Sequence, residues 1–542
     1  MSVSRRAVIG YPVLAAGSAL WLAACSDDTS SGGDQTPGPT GSMGAGSSDW
    51  QSFSGSMMGH SVTVGVAPLV RMDDSTTMLP LKITRSADDG NTGAFDISEV
   101  WSRFEPNQPL SLVRVIDAGG LRLWDPINEA SIDEELRGLQ PGNELVRGVV
   151  FGAVDAAQVT VSLPMIGFPV VNVVEKAEAE SALGLDLASL FEGIEVAEKG
   201  GGQDSAGDPR APLNVEVFTR SLDTSTQSRT TTATVTTILS SDVTFEFGKY
   251  DLTAQADAQL QIVADQIASY SGGGDMSIVG HTDDVADEAF NQTLSEQRAA
   301  AVHKRLGELT DLSSWTVSEE GKGETEPAVE GDDEAARAIN RRVVVTLTPD
   351  GGTEAASSAS ASPSAARSGG SLPEAKGPVG KGPDGVTVNS IDGQSSVTIS
   401  LEKVARRGKY LFGVAQVSGV PGADGPALTD WLSDSSAGLF EDSRSEDSAG
   451  AFLPKGANGL DLIAGDRRYS PCDYVPLGAE RHSTLAELRV EGSLSGNTGI
   501  CVIWPDMGQD SVILDRAPAA GVASGSVVDL PWRLTDIPVV DE

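Results

Sequence analysis

Asp283, Asn291 and Arg298 have the residue types and spacing to hold a small zwitterion. The stretch GHTDDVADEAFNQTLSEQRAAAV, residues 280–302, reads as a helix from Phe290 onward, because Phe290, Leu294, Val302 and Leu306 recur at four-residue steps and make an apolar stripe. Arg298 occupies the same row. A guanidinium among residues destined for burial is costly unless a carboxylate meets it. Asn291 lies two turns earlier on that face, and Asp283 sits in the loop before the helix. One reading is an Asp283–Arg298 ion pair that ties loop to helix. The other is an open pocket. In it Asp283 takes an ammonium, Arg298 grips a carboxylate with a two-pronged hydrogen bond, and Asn291 offers a donor and an acceptor. The residue types alone leave both readings open.

Elements on either side must position these groups. Residues 214–348 alternate strand-like and helix-like stretches: DVTFEFGKYDL as strand and turn, TAQADAQLQIVADQIASY as an amphipathic helix with Leu260, Val263 and Ile267 inward, and MSIVG as a buried strand. After the Arg298 helix come WTVSEEGKG as a strand, DDEAARAIN as a short helix and RRVVVTLTP as a closing strand. The pattern predicts an α/β layer with helices packed on one small mixed sheet. Residues 51–198 and 379–542 show short alternating runs such as SVTVGVAPLV, QVTVSLPMI, SVTISLEKV and TGICVIW, broken by Gly, Asn, Asp and Pro. Each is expected to form a mainly-β, sandwich-like domain. Ser-, Gly-, Ala- and Pro-rich stretches mark a tether at 26–50 and linkers at 199–213 and 349–378, so the chain reads as multidomain.

The first residues, MSVSRRAVIGYPVLAAGSALWLAAC, carry Arg5 and Arg6 before an apolar run and small residues before Cys25, the layout of a secretory signal over 1–25. Leu22-Ala23-Ala24-Cys25 resembles a bacterial lipobox, which implies cleavage, a lipid anchor on Cys25 and attachment to the membrane facing the wall. The arginine pair suits either general or twin-arginine export. With Cys25 taken by lipid, Cys472 and Cys501 are left as an even pair in an oxidising compartment, and a disulfide between them is expected.

Several functions are disfavoured. The formal net charge of −39, with 77 acidic against 38 basic residues, repels nucleic acid, so no such partner is expected. His60, His281, His303 and His482 are scattered without ligand spacing to a cysteine, which predicts no metal and no cofactor. The sequence contains no G-x-S-x-G elbow, H-E-x-x-H or Cys-His arrangement, and a non-enzymatic role is expected.

The 280–302 stretch resembles the peptidoglycan-binding signature of the OmpA C-terminal-like family, which includes peptidoglycan-associated lipoproteins. FEFGKYDLT at 245–253 is similar to that family's first strand and turn, and PAVEGDDEAARAINRRVVV at 327–345 to its closing helix and strand. The resemblance implies a βαβαβ domain that binds a stem peptide of the wall. It assigns Asp283 to the ammonium of diaminopimelate and Arg298 to its carboxylate, with Asn291 and Leu294 lining the pocket. Phe247, Gly248, Lys249 and Tyr250 form the turn that closes it, largely through backbone groups. Asn340, Arg341 and Arg342 match a segment read as mainly structural. Gly248 stands where the family usually has an acid, and Ala286 where it usually has glycine. Together these readings predict a lipoprotein linking membrane to wall. An adhesin or assembly protein whose β domains bind an unknown partner, or a wall-acting enzyme targeted by the central domain, are the alternatives.

Overall fold

A computed structural model describes residues 50–542 apart from 92, 103–108, 121, 130–131, 198–207, 354–371, 391–392, 421–427, 433–454, 478–481, 489–495 and 518–529. The signal with Cys25, the tether up to residue 49 and most of both linkers therefore lie outside the described residues.

Elements of the central segment are numbered from its start. Three strands, β1 (Leu213–Ser221), β2 (Thr226–Thr230) and β3 (Val235–Ser240), lead into a helical turn, α1 (Ser241–Thr244). Then follow α2 (Ala256–Ser269), β4 (Gly274–Gly280), α3 (Glu288–Leu309), β5 (Trp315–Gly321), α4 (Glu334–Asn340) and β6 (Arg342–Pro349). β6 lies between β3 and β4, antiparallel to both, while β4 and β5 run parallel, so the sheet is mixed. Leu260, Val263 and Ile267 of α2 and Ala299, Val302 and Leu306 of α3 pack onto Leu239, Met276, Ile278, Val343 and Val345 of the sheet. This cluster contains no residue from either flanking segment.

Two details of this segment differ from expectation. The strand precedes DVTFEFG rather than lying in it, since Ser241–Thr244 is a helical turn and only a single bridge, Phe245 to Leu252, closes the loop behind it. The Thr244 hydroxyl lies 2.7 Å from the Ser240 carbonyl oxygen and 2.8 Å from Gln259 Oε1 and shares its one proton between them, which favours the turn over an extended backbone. Phe290, expected on the buried row, is 49% exposed, as Glu288 and Ala289 beside it in the first turn of α3 are also exposed, whereas Val302 and Leu306 are fully buried.

The flanking segments are sheet-rich, with few helices. Met57, Val64, Leu81, Phe151 and Val161 from the first share one hydrophobic cluster with Ile399, Leu411, Val502, Trp504 and Leu534 from the second. Ser56 Oγ donates to the Asn497 carbonyl at 2.7 Å, and Arg407 Nη1 to that of Phe168 at 2.5 Å. The two segments thus share a core, where the sequence suggested two independent bodies. β1 joins all three parts of the chain: besides β2 it pairs Leu213 with Leu123, Val215 with Tyr474 and Thr219 with Tyr469.

No disulfide joins Cys472 and Cys501. Both are buried in the same apolar cluster, but the backbone of Cys472 pairs with Ile503, two residues further along the strand, and the Cys501 thiol donates to the Leu163 carbonyl at 3.3 Å. Cys472 is thus aligned with Ile503 rather than with Cys501. Burial pushes the Cys501 thiol up to about 12, so it stays protonated at neutral pH.

Candidate functional site

The site gathers at the end of the sheet where β4 leaves, α3 begins and β6 enters. Asp287 caps α3, accepting from the Phe290 N–H at 3.0 Å. Flush packing of α3 on β4 depends on Gly280, where an added Cβ would sit 2.2 Å from the Ser295 carbonyl oxygen. This close approach brings Arg298 to the mouth of the sheet.

Arg298 is 4% exposed. Its Nε donates to the Lys249 carbonyl at 3.0 Å, and its guanidinium lies over the Phe245 ring, 5.1 Å from the centroid. No carboxylate pairs with it among the described residues, and Nη1 and Nη2 make no hydrogen bond there. Burial draws its pKa down to about 10, against the pull of Asp242 and Asp283, so it remains a cation at neutral pH. The buried row therefore carries a charge held by one carbonyl and a ring face, with two donor nitrogens unengaged.

Asp283 is instead taken by Arg341, whose Nη1 donates to Oδ2 at 2.8 Å. The same guanidinium grips both oxygens of Asp242, at 2.7 and 2.8 Å, and reaches Glu334 Oε1 at 2.7 Å. Its pKa is raised, first by the bond to Asp242. The simple Asp283–Arg298 ion pair is not formed. Its place is taken by a hub, Arg341, that no apolar periodicity could flag. The signal available in the sequence was the Arg341-Arg342 pair at a strand entry, where successive side chains face opposite ways. Arg342 is the inward member: it is buried, and its Nη2 donates to the Glu326 carbonyl at 3.1 Å. Asn340 braces the preceding loop, accepting from Ala328 N–H at 2.7 Å.

Asn291 is 1% exposed, and its amide nitrogen reaches the carbonyls of Asp283 at 3.0 Å and Ala286 at 3.3 Å and Glu324 Oε2 at 2.6 Å. Its donor capacity is used in holding the 283–286 loop, leaving Oδ1 as its contribution toward a ligand. Ala286 does not take a positive φ, so the loop follows a path that alanine tolerates. Asp284 pairs with Arg337 at 2.7 Å. Leu294, one turn before Arg298 on the same row, is buried at 8% exposure. Phe247 and Tyr250 are exposed, while Lys249 pairs with Glu246 at 2.5 Å. Gly248 has φ +67° with open space around it, so the backbone conformation and not crowding favours glycine there. Through the Lys249 carbonyl this turn is fastened to Arg298, while Asp283 reaches the same corner from β4.

Residues 244–341 match a family model described as the OmpA family. Outer membrane porin F of Pseudomonas aeruginosa is 36% identical over 102 residues, which cover 19% of this chain and 29% of that protein. Outer membrane protein A of Bordetella avium is 32% identical over 113 residues, 20% of this chain and 56% of that protein. Among solved structures, the peptidoglycan-associated lipoprotein from Burkholderia pseudomallei aligns at 30% identity over 19% of this chain and 88% of its own, with a TM-score of 0.17. The alignments span a minority of this chain and less than two thirds of these curated relatives. No described helix is long and apolar enough to cross a membrane.

Proposed function

We propose, on the premise that residues 244–341 form an OmpA C-terminal-like domain, that this chain is a non-enzymatic envelope protein gripping peptidoglycan without a covalent bond. The ligand group is the diaminopimelate of the stem peptide. Its carboxylate docks on Nη1 and Nη2 of Arg298, its ammonium on Asp283, and Asn291 Oδ1 accepts a further hydrogen bond. The observation that carries this reading is the buried Arg298 guanidinium, which among the described residues has no paired carboxylate and two idle donors. A buried cation in that state is poorly compensated by a carbonyl and a ring, and an arriving carboxylate supplies what is missing.

A lipid on Cys25 would hold the other end of the chain to the membrane. Two attachments on one chain raise the effective concentration of each, so a modest pocket affinity suffices to link membrane and wall. The flanking β segments, with their shared core, serve in this reading as the platform for a protein partner.

Purified sacculi of a diaminopimelate-containing wall test the grip. Wild type is expected to co-sediment, while Arg298→Ala and Asp283→Ala remain in the supernatant with unchanged far-ultraviolet circular dichroism. If both variants sediment like wild type, the pocket is not the grip.

A further inference from the structure

A cavity of about 390 Å³ opens between the two flanking segments, and no residue of the Arg298 corner lines it. Its size is in the lower part of the range that holds small organic ligands. The strands Gln158–Ser162 and Val170–Glu175 pair antiparallel beside it, with Gln158 opposite Asn172 and Thr160 opposite Val170. Side chains alternate along a strand, so these four share one face, and all four line the cavity. Gln51 and Phe53, two residues apart on the strand Gln51–Met57, line it likewise. Phe168 adds a second ring, held edge-on to Phe412 with centroids 5.1 Å apart. The Arg407-Gly408 turn of the second flanking segment completes the lining. It is fastened to the first segment by the Lys409 N–H, which donates to the Ala118 carbonyl at 2.9 Å. The cavity therefore exists only where the two segments meet.

The charged groups of this lining are already engaged. Asp117 Oδ2 accepts from Arg122 Nη2 at 2.8 Å, and Glu542 accepts from Arg407 Nη2 at 2.6 Å and from Lys403 Nζ at 2.7 Å. An arriving ion would have to break one of these pairs. The uncharged groups are half used. Gln51 Nε2 donates to the Val170 carbonyl at 2.9 Å, and Gln158 Nε2 to Asn172 Oδ1 at 3.2 Å. Gln51 Oε1, Gln158 Oε1 and the Asn172 amide nitrogen make no hydrogen bond among the described residues. Thr160 is 2% exposed, and its hydroxyl has no partner among them either. A purely apolar occupant would seal that hydroxyl and these carboxamides from water unpaired, at a cost.

We propose that this cavity binds a neutral sugar ring, a pyranose. Sugar hydroxyls both donate and accept, so neighbouring ones can meet a carboxamide oxygen, the Asn172 amide nitrogen and the Thr160 hydroxyl together. The C–H face of the ring can lie on Phe53 or Phe168, whose ring faces carry partial negative charge. The bounded volume suits a compact ring better than a chain passing through. The inference goes beyond the wall-peptide reading and does not depend on Arg298.

Saturation-transfer NMR titrations of the full chain test this with N-acetyl-D-glucosamine and D-glucose, the pair showing whether an acetamido ring or a plain hydroxylated one is held. At least one is expected to bind, with saturation strongest on its ring C–H protons. Thr160→Val, and separately Gln158→Ala/Asn172→Ala, are each expected to weaken it about tenfold, the scale of a lost hydrogen bond in a site closed to water. Both variants should melt as wild type does, since neither removes apolar packing. Arg298→Ala should keep wild-type sugar affinity even where it loses the wall, so the two readings can fail separately. Binding of neither sugar by wild type, unchanged affinity in either cavity variant, or loss of sugar binding in Arg298→Ala overturns the proposal. Tighter binding of D-glucuronate or D-glucosamine than of the neutral sugars overturns the assignment to an uncharged ring. If N-acetyl-L-alanine methylamide or cyclohexanol binds where neither sugar does, the cavity belongs to a peptide or an apolar ligand and the sugar assignment falls.

Discussion

The central segment and the β segments around it use the same kinds of residue to build two different sorts of core. In the centre, strands and helices that follow one another in the chain close over Leu239, Val263, Ile278, Val302 and Val345 without outside help. In the flanks, strands before residue 198 and after residue 379 complete each other, with Met57 and Val161 in one cluster with Val502 and Trp504. The contrast teaches that the corner around Arg298 can stand on a local, self-contained scaffold while the segments around it depend on long-range closure, which carries a larger loop-closure cost.

The largest effect should come from cutting the chain along that contrast. A fragment of residues 222–353 is expected to melt cooperatively and retain the β4–β6 amide protection, whereas residues 51–197 alone should show no cooperative transition by circular dichroism. Folding of the second fragment would break the comparison. Next in size, Trp504→Ala removes a fully buried indole whose Nε1 donates to the Leu460 carbonyl at 2.6 Å. It should cost about 3–5 kcal/mol in urea unfolding of the flanking core while wall binding by the centre survives in native buffer. Arg341→Ala strips Asp242, Asp283 and Glu334 of their common partner at once. A loss of about 1–3 kcal/mol is expected together with weaker sedimentation with sacculi, and Arg341→Lys, which lacks the fork, should restore only part of either.

Arg298→Met sharpens the comparison differently. Because this guanidinium has no carboxylate partner among the described residues, replacing it with an apolar side chain should leave stability within about 1 kcal/mol of wild type, or raise it, while abolishing wall binding. A large destabilisation with binding intact would show Arg298 to be structural. The smallest effect concerns His281, which burial first and the nearby Arg342 second hold down to about 4. It stays neutral in the fold, while in the unfolded chain it protonates near its ordinary value of about 6.5. The unfolded state therefore binds more protons between these values, and stability should fall as pH drops from about 6.5 toward 4. Melting scans of the 222–353 fragment between pH 7 and 5 should show this shallow slope, and His281→Asn should flatten it.

Much of the centre was legible because its elements carry period: Leu260, Val263 and Ile267 mark α2, and Leu294, Val302 and Leu306 mark α3. Arg298 stood out because it broke that period. Its relation to Asp283 was not legible. The carboxylate could have met either of two arginines, and only the strand entry of β6 brings Arg341 to it. The exposure of Phe290 was hidden for a similar reason, since a helical row says which residues share a face and not how far along the helix that face is covered.

The sequence alone determined the kinds of element from α2 to β6, the misplaced cation among their buried residues and the acidic composition of the chain, because periodicity and charge are properties of neighbours along the chain. Tertiary structure alone decided that Arg341 and not Arg298 claims Asp283, that Asn291 braces a loop, that Cys472 faces Ile503, and that the two outer segments share a core. Each of these joins residues brought together by sheet register or helix packing, and the energy of such contacts depends on geometry that no local pattern encodes.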